Sequence, residues 1–169
     1  MDPTPELLEM LRRQSGLGLD RDGRWHIRGE PITHERTLET LHKGLDVRDD
    51  GQITVSVGDQ WAYVDVEDTA FVVRNIRPIP AQTATAPDSV ELILNGSRRE
   101  NLDPTTLHIT GDGALYCRVL GGRTRARFLR PAYHNLLPFL TEVEAPGGGY
   151  ALQLTQGLYP IVAAPSAEG

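Results

Sequence analysis

A pattern met twice constrains the fold of this chain more than any other feature in it. Asp22-Gly23 followed by Trp25-His26-Ile27 is answered by Asp112-Gly113 followed by Leu115-Tyr116-Cys117, each a turn dipeptide feeding an apolar run. Further along, Leu38-x-x-Leu41 matches Leu137-x-x-Leu140, and Ile53-x-Val55-x-x-Gly58 matches Leu152-x-Leu154-x-x-Gly157, at one constant offset. A slip of one residue would break these matches together. A long period seen twice points to duplication of one supersecondary unit, because a solenoid needs at least about three copies. The expected fold class is therefore α+β, with two related halves, each of antiparallel strands with one helix.

The punctuation of the chain sets the boundaries. Thr4, Pro5 and Glu6 read as the capped start of a helix whose Leu7, Leu8 and Leu11 form an apolar stripe, expected to cover the protein's own core. A strand over 24–28 leads through Gly29 and Pro31 to a helix capped by Thr33 and stopped by Gly44. Asp49-Asp50-Gly51 is a hairpin between strands 45–48 and 52–57, with Ile53, Val55 and Val57 facing the core and Thr54 and Ser56 facing outward. Strands over 61–66 and 71–76 follow, the latter central.

Residues 78–87, rich in Pro, Ala and Thr, read as a connection. Beyond it come a hairpin at Asn95-Gly96 and strands 107–110, 114–120 and 124–129. A short helix begins at Pro131, strands 139–144 and 150–155 flank Gly147-Gly148-Gly149, and a last strand ends near Val162. The organisation is an N-terminal helix over 1–19, a first half over 20–77, a connection over 78–88, a second half over 89–162 and a flexible tail over 163–169.

Charge narrows the partners. The net charge of -6 argues against a general nucleic-acid or acidic-membrane binder, since neutralising phosphates requires clustered cations. The charge is uneven: five arginines crowd between Arg118 and Arg130 in an otherwise acidic chain. With Cys117 as the only cysteine, neither an intramolecular disulfide nor a cysteine-rich metal site can form, and no apolar stretch is long enough to span a bilayer. No signal peptide is recognised, so a cytoplasmic location is expected.

With the units laid out, the chain resembles the bacterial domain of unknown function 1285 family over about residues 20–162. The residues that carry the resemblance are Arg21-Asp22-Gly23-x-Trp25, Gly29-Glu30-Pro31-Ile32, Val66-Glu67-Asp68-Thr69-Ala70-Phe71, and Arg118-Val119-x-Gly121-Gly122 through Arg130-Pro131-Ala132-Tyr133. The resemblance implies two α+β halves, the second superficially like a pleckstrin-homology fold, with a ligand groove between them and a part in signalling. It assigns no reaction and no cofactor. Ala70 stands where the family tends to have proline.

Arg123, Arg125 and Arg127 alternate with Thr124, Ala126 and Phe128, so on a strand the three guanidiniums leave from one face. Like charges so placed repel unless solvated, paired with carboxylates, or gathered around an anion that guanidinium grips in bidentate fashion. The ligand-binding candidates are Arg118, Arg123, Arg125 and Arg127, with Asp65, Glu67 and Asp68 as the acids that would pair with them. The expected partner is a small anionic molecule or a phosphorylated protein. A hydrolase using Glu67 or Asp68 is the alternative, and a ligand-free interaction scaffold is a third. His34-Glu35 begins a zinc-peptidase pattern, but Leu38 stands where the second histidine must be.

Overall fold

The computed structural model describes residues 4–144 and 149–163. The expected turn residues Gly147 and Gly148, and all of the expected tail beyond Ala163, lie outside these. The chain divides into two compact units between Ala70 and Phe71, and each is described by itself.

The first unit opens with helix α1 (Pro5–Arg13), where the Thr4 hydroxyl accepts the Leu7 N–H. Strands β1 (Leu17–Leu19), β2 (Trp25–Ile27) and β3 (Glu30–Pro31) form an antiparallel ribbon. After helix α2 (Glu35–Gly44) come β4 (Leu45–Val47), β5 (Ile53–Val57) and β6 (Gln60–Tyr63), a three-stranded antiparallel meander. A short strand β7 (Asp65–Val66) then returns to lie parallel to β1, completing the sheet order β3-β2-β1-β7. Residues 61–66 are thus two strands in two sheets. The chain crosses from one to the other at buried Val64, whose N–H still reaches Ile53 O at 3.0 Å.

Trp25 anchors this unit. It is 1% exposed, and its indole N–H donates to His42 Nδ1 on α2 at 3.2 Å, so ribbon and helix are joined by a bond as well as by packing. Helix α2 starts one residue later than Thr33, with His34 as its cap and its Nδ1 accepting the Thr37 N–H. It runs straight into β4 because residue 44 is glycine: a Cβ there would lie 1.9 Å from Ser56 O. On β5, Val55 is buried as expected. Val57 is exposed and Thr54 buried, the latter directly opposite Tyr63, over whose ring Arg13 of α1 lies.

The second unit is built on a seven-stranded sheet in the order β10-β9-β8-β13-β12-β11-β17. Its strands are β8 (Phe71–Ile79), β9 (Ser89–Leu94), β10 (Arg99–Asn101), β11 (His108–Ile109), β12 (Leu115–Val119), β13 (Thr124–Phe128) and β17 (Val162–Ala163). Between β13 and β17 the chain forms helix α3 (Arg130–Leu136) and the meander β14 (Leu140–Glu142), β15 (Tyr150–Leu154) and β16 (Gly157–Pro160).

β8 is central, as its apolar start predicts. It pairs with β9 antiparallel and with β13 parallel, and Phe71, Val72 and Val73 are each at most 1% exposed. It continues to Ile79, so Pro78 is strand and not connection. At the Asn95-Gly96 hairpin the positive φ angles fall one residue late, on Gly96 and Ser97, because the Asn95 side chain is turned inward to accept the Val72 N–H at 3.1 Å.

Candidate functional site

Strand β13 carries the arginine alternation, and its register decides what the arginines meet. Ala126 and Phe128 are buried on one face, and Arg125 and Arg127 leave from the other. On the neighbouring β12, Arg118 stands directly opposite Arg125 and Tyr116 opposite Arg127. Arg123 sits just before β13, in the turn through Gly121 and Gly122. Four predicted residues, Arg118, Arg123, Arg125 and Arg127, are therefore brought to one region of one sheet.

Their surroundings differ. Arg127 acts on Asp112, whose carboxyl is held below the ordinary carboxylate range first by the Thr110 hydroxyl, then by the Ala114 N–H, and in part by Arg127. Arg125 lies over the Tyr116 ring at 4.7 Å, and Tyr116 is stacked on His108 at 5.5 Å with 13° between planes. Arg118 donates to Gly122 O at 3.2 Å. Among the described residues neither Arg118 nor Arg125 forms an ion pair. Two guanidiniums in direct cross-strand register cost roughly 0.2–1 kcal/mol. The cation–π contact of a partly exposed Arg125 returns about 0.5–1 kcal/mol and leaves its donors unused.

The predicted acids belong to the first unit, and two of them line a groove. Pairing of β7 with β1 sets Gly18 beside Asp65 and Leu19 beside Val66. The result is an open groove of about 560 Å³ lined by Gly18, Leu19, Asp20, His26, Asp65, Val66 and Glu67. His26 Nε2 is 3.1 Å from Asp20 Oδ2. Burial pulls the Asp20 carboxyl upward, yet the N–H groups of Arg24 and Asp22 together with His26 outweigh it, so the group titrates below the ordinary value. Glu67 accepts the Arg21 N–H at 3.1 Å. Asp68 lies outside the lining, half-buried and engaged.

Sequence reading missed Asp20, His26, Tyr116 and His108. The first two are separated from Asp65 and Glu67 by some forty residues of chain, and only the parallel return of β7 joins them. Tyr116 and His108 each occupy an alternate position on a strand, a signal that was legible but not distinguishable from ordinary packing. Cys117 is fully buried, and burial pushes its thiol up to about 12, with Glu100 and Asp103 adding to the shift, which leaves it inert at neutral pH. Among the described residues no group of histidine, cysteine or carboxylates is arranged to hold a metal ion, and no helix is long and apolar enough to cross a membrane.

An α+β chain of short antiparallel ribbons and meanders, each interrupted by one helix, is the class of protein these elements define. No protein-family model and no curated protein matches the chain. Solved structures do. A DUF1285 family protein from Silicibacter pomeroyi DSS-3 superposes with a TM-score of 0.66 at 16% identity, over 87% of this chain and 79% of that one. A second, from Shewanella baltica OS155, gives 0.57 at 17% identity, over 73% of this chain and 91% of that one. The likeness to DUF1285 family proteins expected from the sequence motifs is thus shown as a likeness of fold.

Proposed function

We propose that this chain is a binding module whose second unit grips an anionic group through Arg118 and Arg125, flanked by Arg123 and Arg127. The supporting observation is the register of β12 and β13, which opposes two guanidiniums and supplies no carboxylate to either among the described residues. An anion placed between them relieves the repulsion and accepts paired N–H donors, the geometry in which guanidinium binds phosphate and carboxylate best. Tyr116 holds Arg125 from below and so lowers the ordering cost of binding.

We also infer that the two units descend from one duplicated supersecondary unit. In chain order β1-β2-β3-α2-β4-β5-β6-β7 and β11-β12-β13-α3-β14-β15-β16-β17 are the same sequence of elements. In both, an antiparallel ribbon precedes the helix, a meander follows it, and a two-residue strand closes parallel to the first.

The test is thermal denaturation with inorganic phosphate, pyrophosphate, nucleotides and dicarboxylates. A ligand bound only by the folded state raises the melting temperature, by an amount equivalent to about 2.7 kcal/mol at 100 times its Kd. The shift should vanish in Arg125→Gln; absence of any anion shift, or an undiminished shift in the variant, refutes the reading. A second reading, acid–base hydrolysis at the first unit's groove, is favoured by one observation, that Glu67 lines the same groove as the His26–Asp20 pair. Activated-ester and phosphate-ester hydrolysis lost in His26→Ala would support it, and rates equal in both proteins would dispose of it.

A further inference from the structure

Helix α1 is amphipathic, and it is mounted the wrong way round. Leu7, Met10 and Leu11 stand three and four apart and so share one face, yet they are 41%, 45% and 53% exposed, and no residue of the helix is buried. Its attachment is made by the side that carries its arginines, with Leu8 half-buried beside them. The Arg12 guanidinium lies 4.1 Å from the Trp61 ring and that of Arg13 lies 4.3 Å from Tyr63, while Arg13 also donates to Gln52 Oε1 at 3.2 Å. A helix of a globular protein ordinarily does the reverse, burying the apolar stripe and leaving the charges in water. Of the stripe Leu7, Leu8 and Leu11 expected to cover the protein's own core, Leu8 is half-buried while Leu7 and Leu11 are presented outward with Met10, and apolar side chains at helical spacing on a surface are the pattern of a helix that packs on a partner.

The charges say which partner. Glu6 and Arg13 are seven residues apart, nearly two turns, so they occupy one flank of the stripe at opposite ends of the helix. When two such helices pack stripe on stripe in antiparallel sense about a two-fold axis, the Glu6 of each lies beside the Arg13 of the other. Parallel packing would instead put the two Glu6–Arg13 flanks on opposite sides of the seam, where neither meets the other. Glu6 makes no hydrogen bond or ion pair among the described residues, and the Arg13 side chain, though bonded to Glu9, is 52% exposed.

We propose that α1 is a self-association surface: two copies of the chain pair through antiparallel α1 helices, with Leu7, Met10 and Leu11 between them and Glu6 of each facing Arg13 of the other. A pair of nine-residue helices buries well under the roughly 1,200 Å² of a stable interface, so the association is weak and concentration-dependent.

Sedimentation equilibrium of the full chain up to about 300 µM tests this, the range being set by that small area. The average mass should rise from one chain toward two. Leu11→Glu should hold it at one chain, with Leu11→Ser as a milder variant and circular dichroism confirming that both remain folded. Glu6→Arg should weaken pairing about tenfold through two repulsive contacts, and Glu6→Arg combined with Arg13→Glu should restore it. The restoration is decisive, since the double variant recovers nothing of the Tyr63 contact or the Glu9 pair within one chain. A single-chain mass at every concentration, a dimer indifferent to Leu11→Glu, or a dimer indifferent to Glu6→Arg overturns the proposal. If the wild type is monomeric but co-sediments with phosphatidylcholine–phosphatidylglycerol vesicles and Leu11→Glu does not, the stripe meets lipid and the proposal is likewise overturned.

Discussion

The ribbon that opens the first unit and the ribbon that carries the arginines in the second follow the same path, and they end differently. In the first unit the third strand, β3, is two residues long, contains Pro31 and stands at a sheet edge. Proline belongs there because it has no N–H to offer a further strand. In the second unit the corresponding strand, β13, is five residues long and interior, because β8 lies parallel along its other side. The extra strands β8, β9 and β10 thus convert an edge into a wall. Only a strand so supported can hold a row of alternating arginines on one face while burying Ala126 and Phe128 on the other. The same path therefore gives an acidic groove with a histidine in one unit and a cationic face in the other.

This comparison can be broken most forcefully at β8. Phe71→Ala removes a 1% exposed ring from the strand beside β13, where it stands next to Ala126, and should cost about 3–5 kcal/mol. Amide hydrogen exchange in β12 and β13 should accelerate with it, and unchanged exchange there would show that β8 does not support the arginine strand. The counterpart in the first unit is Gly44→Ala, whose methyl carbon meets Ser56 O at 1.9 Å and forces α2 off β5. A loss of about 2–4 kcal/mol is expected, read from the urea midpoint of tryptophan fluorescence, because both tryptophans, Trp25 and Trp61, lie in this unit. A midpoint within error of wild type would mean that the helix can shift cheaply.

Arg118→Ala sharpens the contrast in the opposite direction. Removing one of two opposed guanidiniums should leave stability unchanged or raise it by about 0.2–1 kcal/mol, while weakening anion binding. Binding and stability that fall together would mean that Arg118 is structural. The smallest effect is expected at Asp20, partly exposed and bonded to three donors. Its folded value is depressed below 3.8, so its contribution is complete above that value and is lost as pH falls through the folded value. Asp20→Asn should flatten the acid limb of the melting temperature below about pH 4 and leave the neutral region nearly unchanged. An acid limb identical to wild type would remove Asp20 from the account.

Much of the fold is legible because it is local. Asp22-Gly23 and Asp112-Gly113 each make the same turn: the glycine, at φ of 76° and 85°, donates to the carbonyl three residues back, from Gly23 to Asp20 and from Gly113 to Thr110, at 3.0 and 2.9 Å. A positive φ at these positions is what makes glycine readable there. The cap at Thr4, the hairpin at Asp50-Gly51 and the central place of Phe71–Val73 are legible for similar reasons. Local chemistry also misleads. Thr33 is a better cap than His34 by type, yet His34 takes that place with its ring nitrogen accepting the Thr37 N–H, and the stripe on α1 reads as core when the rings of Trp61 and Tyr63 bind its arginines instead.

By itself the sequence determined the class of fold, the turns that punctuate it, and the common face of Arg125 and Arg127, since period-two alternation on a strand allows nothing else; Arg123, expected on that face, falls instead in the turn before β13. Tertiary structure alone decided that Arg118 stands opposite Arg125, that Asp65 and Glu67 join Asp20 and His26, and that Leu7, Met10 and Leu11 of α1 point outward. The physical reason is the same each time. Which strands become neighbours, and in what register, is set by contacts between residues far apart in the chain, and a local pattern of hydrophobicity carries no record of them.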